Sequence, residues 1–498
     1  MHLNPGQQRF SATHAEGKPQ LVWASLPADR ETPVSALLAL KEGGFAALFE
    51  SVQGGETRGR YSFLCLKPDL IWKCEGGKVS LQNYHTDKTE QIDADPFTSL
   101  RKLLADSALE IPESLPPMAA GVFGYMGYDM VRFMERLPDK NLDVLGIPDS
   151  LFVRPQLVVI FDSVKDDIIL VTPVYPREGQ SADAAWKQAE KLINDAIDRL
   201  NQPRKGPRYR TDTPEKPALD PLTLSSSTGQ DGYHKMVKKA VEYILAGDIF
   251  QVVPSQRFSV PCPQPALALY RSLRHLNPSP FLFYFDWGQA ALVGSSPEIL
   301  VRLRDGKVDI RPIAGTRKRG KTTKEDLALE KELLADQKEI SEHLMLLDLG
   351  RNDVGRVAVP GTVKVTEHMR IERYSHVMHI VSNVEGEIAP QKDALDALIA
   401  GFPAGTVSGA PKIRAMEIID ELEPVRRGFY GGCVGYLSAN GSMDTCIALR
   451  TGLVKDGMLH VQAGGGVVAE SDPEAEYQES CNKAGALLKA LQEIEGFI

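Results

Sequence analysis

The chain has no C-x-x-C pair, no apolar run long enough to cross a bilayer, and no excess of positive charge. Each absence excludes a class of protein. Its 6 cysteines, Cys65, Cys74, Cys262, Cys433, Cys446 and Cys481, are scattered along 498 residues, which excludes a thiolate zinc site or a disulfide framework and reads as reduced, mostly buried thiols. A formal charge of -9 argues against broad contact with nucleic acid or an anionic membrane. A small acidic substrate then needs local positive charge or a metal to offset that field. No N-terminal stretch joins a basic start to an apolar run, so a cytoplasmic location is expected.

What is present is the composition of an ordinary soluble globular protein, 43% hydrophobic and 25% charged. The length predicts two domains or two halves sharing a core. Glycine-punctuated runs in the first half read as short strands: Phe45 to Val52 before a turn at Gly54-Gly55, then Tyr61 to Leu66 and Leu70 to Cys74 before Gly76-Gly77. Leu157 to Phe161 and Ile168 to Val174 form a further hairpin, and Ala184 to Leu200 has helical spacing. Asn201 to Gln230 concentrates Pro, Lys, Arg, Ser and Thr, including a basic cluster from Arg204 to Arg210, and is read as a linker. This divides the chain into residues 1–200, a linker 201–230 and a C-terminal domain 231–498.

Beyond the linker a helix is expected from an N-cap at Asp231 to Gly247. Strands follow at Gln251 to Phe258, Phe281 to Phe285, Glu298 to Leu303, Val308 to Pro312, Val377 to Val384, Gly432 to Ser438, Cys446 to Val454 and Leu459 to Gln462. Helices are expected over Lys324 to Leu347, Ala394 to Ile399, Ile413 to Leu422 and Pro473 to Ile494. Hairpins outnumber alternating β-α-β units, which predicts an α+β fold of large antiparallel sheets packed as a sandwich with flanking helices, in two intimately associated subdomains.

Two Glu-x-x-Glu units, Glu339/Glu342 and Glu476/Glu479, fall in helical stretches. A spacing of three puts both carboxylates of a unit on one helical face, and Mg2+ takes oxygen ligands of this kind alongside water and substrate anions. The run Gly464-Gly465-Gly466 lies just ahead of the second unit and Arg450 lies upstream; glycine lets backbone approach an anion and arginine clamps a carboxylate. Two competing motifs are present. Gly315 to Thr322 matches the phosphate-binding G-x-x-x-x-G-K-[ST] loop, with Asp348 in the place of its downstream aspartate. Its upstream segment Val308 to Pro312 alternates and contains proline, unlike the buried parallel strand such a loop requires. Gly432-Cys433-Val434-Gly435 has the look of a glutaminase nucleophile turn, but only His460 follows it and no acid accompanies that histidine.

In chain order, Pro312 to Arg317, Glu339-x-x-Glu342-His343, Val377 to Ser382, Gly405 to Lys412, Asp444 to Arg450, Gln462 to Gly466 and Glu476-x-x-Glu479 resemble the chorismate-utilising enzymes. Leu48 to Ser51, Arg60 to Ser62 and Asn277 to Leu282 are similar to the tryptophan-feedback segments of the anthranilate synthase large subunits within that family. Ala314 stands where aminodeoxychorismate synthases carry a nucleophilic lysine, and Thr406 is similar to the amine-adding branch. The resemblance implies Mg2+-dependent conversion of chorismate and ammonia to anthranilate and pyruvate. Aminodeoxychorismate, aminodeoxyisochorismate and isochorismate synthases are the alternatives, with a nucleotide-binding loop the remote one.

The resemblance further implies Glu342 and Glu479 as metal ligands with Glu339 and Glu476 in support. It implies His379, Glu339 and Thr406 as catalytic residues. Chorismate is then held by Gly315, Thr316, Tyr430, Arg450, Gly464, Gly465, Gly466 and Lys483, and inhibitory L-tryptophan by Glu50, Ser51, Pro280, Phe281, Leu282, Tyr436 and Cys446. A small glutaminase subunit supplying ammonia, in a heterotetramer of two large and two small subunits, is the implied assembly.

Overall fold

The strand of Tyr61–Glu75 runs unbroken beside Ser150–Asp162, bent where its register shifts between Pro68 and Leu70. The two strands expected there are therefore one. Pro68 has no N–H to give the ladder, and a bulge absorbs that loss without ending the pairing. The computed structural model describes residues 2–51, 59–203, 224–373 and 377–497. The predicted Gly54-Gly55 turn and residues 204–223 of the predicted linker, basic cluster included, lie outside the described residues.

Among the described residues, 21 strands join in one hydrogen-bonded network, and the pairings between named strands are antiparallel. Strands from both halves alternate within it. Ala46–Glu50 lies between Tyr61–Glu75 and Phe281–Asp286, and Gly121–Met126 pairs with Cys433–Ser438. Apolar side chains on these strands segregate into three large clusters. One is built mainly from strand residues, including Phe63, Phe123, Phe283, Phe285 and Tyr436. In it Phe63 meets Tyr436 edge-on with ring centres 5.8 Å apart, and Phe285 meets Tyr125 at 6.0 Å, the edge-to-face arrangement aromatic rings prefer. Gly294, opposite Phe283, leaves room for that ring to lie across its strand. Helices cover the outer faces: Pro33–Leu40, Ala182–Asn201, Ala266–Leu276 and Pro473–Gln492 contribute to one cluster, and Gly229–Leu245, Ala394–Gly401 and Lys412–Leu422 to the other. No helix among the described residues is long and apolar enough to cross a membrane.

Several boundaries differ from expectation for local reasons. The helix from Gly229 to Leu245 starts after Thr228, ahead of the expected Asp231 cap, and Asp231 falls in its first turn where its charge favours the helix dipole. Lys324 to Leu347 is two helices, Thr323–Ala335 and Gln337–Gly355. Asp336 breaks them, because its extended backbone ends the first while its carboxylate caps the N–H groups of Lys338 and Glu339. Cys446 to Val454 is likewise two strands, Met443–Ile447 and Thr451–Lys455, separated where Arg450 adopts a positive φ of 48°. Gln251 to Phe258 divides into Gln251–Val252 and Ser255–Pro261. Gly315 to Lys318 belongs to the strand Ile313–Lys318, paired antiparallel to Val377–Glu387, and Met345 to Asp348 lies in the Gln337–Gly355 helix. A phosphate-binding loop is thereby excluded, as its glycine-rich segment is sheet and its aspartate helical.

Candidate active site

Both Glu-x-x-Glu units are helical. Glu339 and Glu342 lie in the first turns of Gln337–Gly355, and Glu476 and Glu479 in the first turns of Pro473–Gln492, whose N-terminus Asp472 caps. Glu342 is pushed above the ordinary carboxylate range by burial first, then by the charge of Glu339 and, from the other unit, that of Glu479. Glu339 is held by Arg317 at 3.1 Å, and the same guanidinium binds Asp336 and Glu332. Glu479 pairs with Lys483 at 2.7 Å. Glu476 accepts from Ser471 at 2.7 Å through one oxygen, while its other oxygen is buried without a hydrogen-bond partner. Burial raises its pKa as well. An oxygen in that condition lacks a cation or donor, and the set of hard carboxylates fits Mg2+. Among the described residues no group of three or more His, Cys, Asp or Glu side chains is placed to hold a metal ion by itself. Mg2+ commonly needs no more than one or two protein carboxylates beside substrate oxygens and water.

Three backbone segments surround this acidic cluster. Lys483 donates to the Gly464 carbonyl at 3.0 Å, and the Gly465 N–H is taken by the Tyr233 hydroxyl at 3.2 Å. A side chain on Gly465 would meet the unpartnered oxygen of Glu476 at 2.5 Å, and one on Gly466 would strike the Gln251 amide. Within the run it is Gly464 that the backbone demands, since a Cβ there would lie 2.2 Å from the Pro254 carbonyl oxygen. Gln251 reaches Glu342 at 3.5 Å with its amide nitrogen, leaving its carbonyl oxygen buried and unpartnered. Tyr430 is buried, with its hydroxyl pushed up to about 12 by burial.

On the adjoining strands, Thr316 Oγ1 lies 3.0 Å from His379 Nδ1, and the Gly315 carbonyl lies 3.3 Å from the same nitrogen. Burial, and then the charge of Arg450, lower the His379 pKa to about 4. The imidazole is consequently neutral near pH 7, so it accepts or relays a proton and does not present a standing positive charge.

Glu298 and Gln251 are site residues that the sequence reading missed. Glu298 is 8% exposed and pushed up to about 8 by burial, against the opposing influence of Thr406, Arg450 and Lys483. Thr406 donates its hydroxyl to Glu298 at 3.0 Å. A carboxylic acid that keeps its proton at neutral pH beside two cations is a proton donor in waiting. The available signal was a glutamate leading directly into the apolar strand Ile299–Arg304.

The residues expected to bind tryptophan lie along neighbouring strands. Leu282 pairs in register with Glu50. Phe281 packs on the cluster that contains Tyr436 and Cys446. Pro280 precedes that strand and Ser51 follows Glu50. Glu50 is saturated: Arg274 donates to it at 2.7 and 3.0 Å, and Tyr270 donates as well. Cys433 is buried with its thiol pushed up to about 12, and His460 is engaged with Ser259 at 2.8 Å, so this pair forms no thiolate nucleophile.

The geometry has clear counterparts among known proteins. Residues 61–489 match the chorismate binding enzyme family. The chain is 55% identical to anthranilate synthase component 1 of Cereibacter sphaeroides over 490 residues, covering 98% of this chain and 97% of that one. It is 48% identical to the protein of the same name from Pseudomonas aeruginosa, over 93% and 94% of the two chains. The crystal structure of anthranilate synthase component I from Streptococcus pneumoniae superposes with a TM-score of 0.76 at 36% identity, over 93% of this chain and 98% of that one. The menaquinone-specific isochorismate synthase MenF of Escherichia coli shares the fold, with a TM-score of 0.69 at 20% identity over 97% and 100% of the chains. With most of its length matched by that family model and by relatives of this identity, this chain belongs to the chorismate binding enzyme family.

Proposed function

We propose that the protein is the synthase subunit of an anthranilate synthase, converting chorismate and ammonia to anthranilate, pyruvate and water. The observation that carries this reading is Glu298, a buried acid hydrogen-bonded by Thr406 and influenced by the charges of Arg450 and Lys483. Relatives that bear this name over nearly their whole length support it.

Arg450, Lys483 and Tyr430 orient the carboxylates of chorismate, with Gly315 and Thr316 lining its ring and the backbone of Gly464 to Gly466 alongside. Glu298 donates its proton to the departing C4 hydroxyl oxygen, with Thr406 holding its carboxyl in place. The free carbonyl oxygen of Gln251 accepts an N–H of ammonia as it adds at C2. Neutral His379 takes the proton released when pyruvate is eliminated. Ala314 offers no nucleophile, so no covalent intermediate forms there. Glu342 and Glu479 would hold Mg2+, with Glu339 and Glu476 supporting, and a bound ion would supply Lewis-acid stabilisation of developing negative charge.

A separate glutaminase subunit supplies ammonia, in an assembly of two large and two small chains. L-tryptophan binds among Glu50, Ser51, Pro280 to Leu282, Tyr436 and Cys446 and inhibits the reaction. The cytoplasm is the proposed compartment. Incubating the purified chain with chorismate, ammonium and Mg2+ should yield fluorescent anthranilate with one pyruvate per turnover. A non-aromatic amino product without pyruvate would assign the chain to another chorismate enzyme, and isochorismate would show that water is the nucleophile.

A further inference from the structure

A cavity of about 30 Å³ lies against Glu298 and Thr406, walled otherwise by residues outside the substrate and metal assignments, among them Pro312, Leu346, Leu349 and Gly350. That volume holds roughly two water molecules and nothing larger. Neither Arg450, Lys483, His379, Gly464 to Gly466 nor the four metal-site glutamates line it. Its polar walls include Arg311, whose Nε is buried without a partner among the described residues although its terminal nitrogen binds Glu367 and Glu372. Asp353, also in the wall, is paired with Lys412 at 2.8 Å. An orphaned donor beside a space of this size has water as its natural acceptor.

We propose that this cavity is a water compartment serving the acid Glu298, taking the water released from C4 and returning a proton to the carboxylate after each turnover. The proposal rests on the anthranilate synthase reading. In the amination step the C2–N bond forms, the C4–O bond breaks, and the Glu298 proton joins the departing oxygen to make water. The ammonium group now at C2 loses one proton, and the compartment returns one to Glu298, so charge and protons balance. A buried acid with no such route would be reset slowly. Gly350 is the place to test this, because a methyl there would fall among the cavity walls, 3.2 Å from Pro312 and 3.5 Å from Ile310, within a helix that favours alanine.

Gly350→Ala should fold, with the Pro312 ring giving way by a few tenths of an ångström. Its kcat for ammonia-dependent anthranilate formation should fall about 10-fold, with a larger solvent deuterium isotope effect and with KM for chorismate and for ammonium within twofold of wild type. Leu349→Phe, which narrows the same space from another wall, should act in the same direction. An unchanged kcat and isotope effect in both variants would overturn the proposal. So would a raised KM for ammonium at unchanged kcat, which would make the cavity an ammonia inlet. A wild-type chain that forms no anthranilate would instead overturn the underlying functional reading.

Discussion

Glu50 and Glu476 each hold carboxylate oxygens away from water, and the fold treats them oppositely. Glu50 receives two hydrogen bonds from Arg274 and another from Tyr270. Glu476 has one oxygen satisfied by Ser471 and one buried without a partner, beside the charges of Glu479 and Glu342's own unit. A closed ion pair fixes the Ala46–Glu50 strand and the Ala266–Leu276 helix relative to each other. The open cluster is neutralised only in part, by Arg317 on Glu339 and Lys483 on Glu479, and sites that break the rule of satisfied polar groups are where function is expected.

The sharpest way to break the comparison is to remove the acid at the open site. Glu298→Gln should keep the fold, since an amide replaces a neutral acid, while kcat for anthranilate falls roughly 10²–10⁴-fold; a rate near wild type would remove Glu298 from proton transfer. Glu479→Gln should abolish the response to Mg2+ and lower turnover by at least the ~10–100-fold that outer-shell partners of a metal are worth. Mg2+ titration followed by calorimetry checks this independently of rate.

At the closed site the expected damage is to stability. Glu50→Ala leaves Arg274 and Tyr270 without their acceptor and should lower unfolding free energy by about 1–3 kcal/mol, read from the denaturant midpoint, while weakening tryptophan inhibition. The smallest effect is in pH dependence. Glu298 holds its proton to about 8 in the fold, so between the ordinary carboxylate range and pH 8 the unfolded chain has lost a proton that the folded chain keeps. Stability contributed by the neutral acid is present below that window and lost as pH rises through it. Glu298→Gln should therefore show a flatter decline in stability between pH 5 and 9, measured by thermal unfolding. At constant free ammonia, wild-type kcat should fall above about pH 8.

Much of this was legible in the sequence where chemistry fixes residue type. The Glu-x-x-Glu spacing placed Glu339, Glu342, Glu476 and Glu479 on helices, and glycine between Gly464 and Gly466 marked a close approach. The antiparallel sheets were legible from hairpin punctuation. What stayed hidden depended on tertiary context. Nothing in the sequence around Asp336 distinguishes a cap from a residue inside one long helix, and the left-handed turn at Arg450 interrupts an otherwise strand-like run. Glu298 reads as the edge of a strand until Thr406, more than a hundred residues later, is seen donating to it. Strands such as Ala46–Glu50 pair with partners from the far half of the chain, and register across such distances is set by packing, which no local pattern records.

The two Glu-x-x-Glu units, neutralised only in part by Arg317 and Lys483, are read as awaiting a further cation. Thermal unfolding of wild type and Glu342→Gln, each with and without Mg2+, tests that reading directly. Glu342→Gln should melt about 2 °C higher than wild type in metal-free buffer, and Mg2+ should stabilise wild type but not the variant. A variant that melts lower without metal, or one that keeps the full Mg2+ stabilisation, would contradict it.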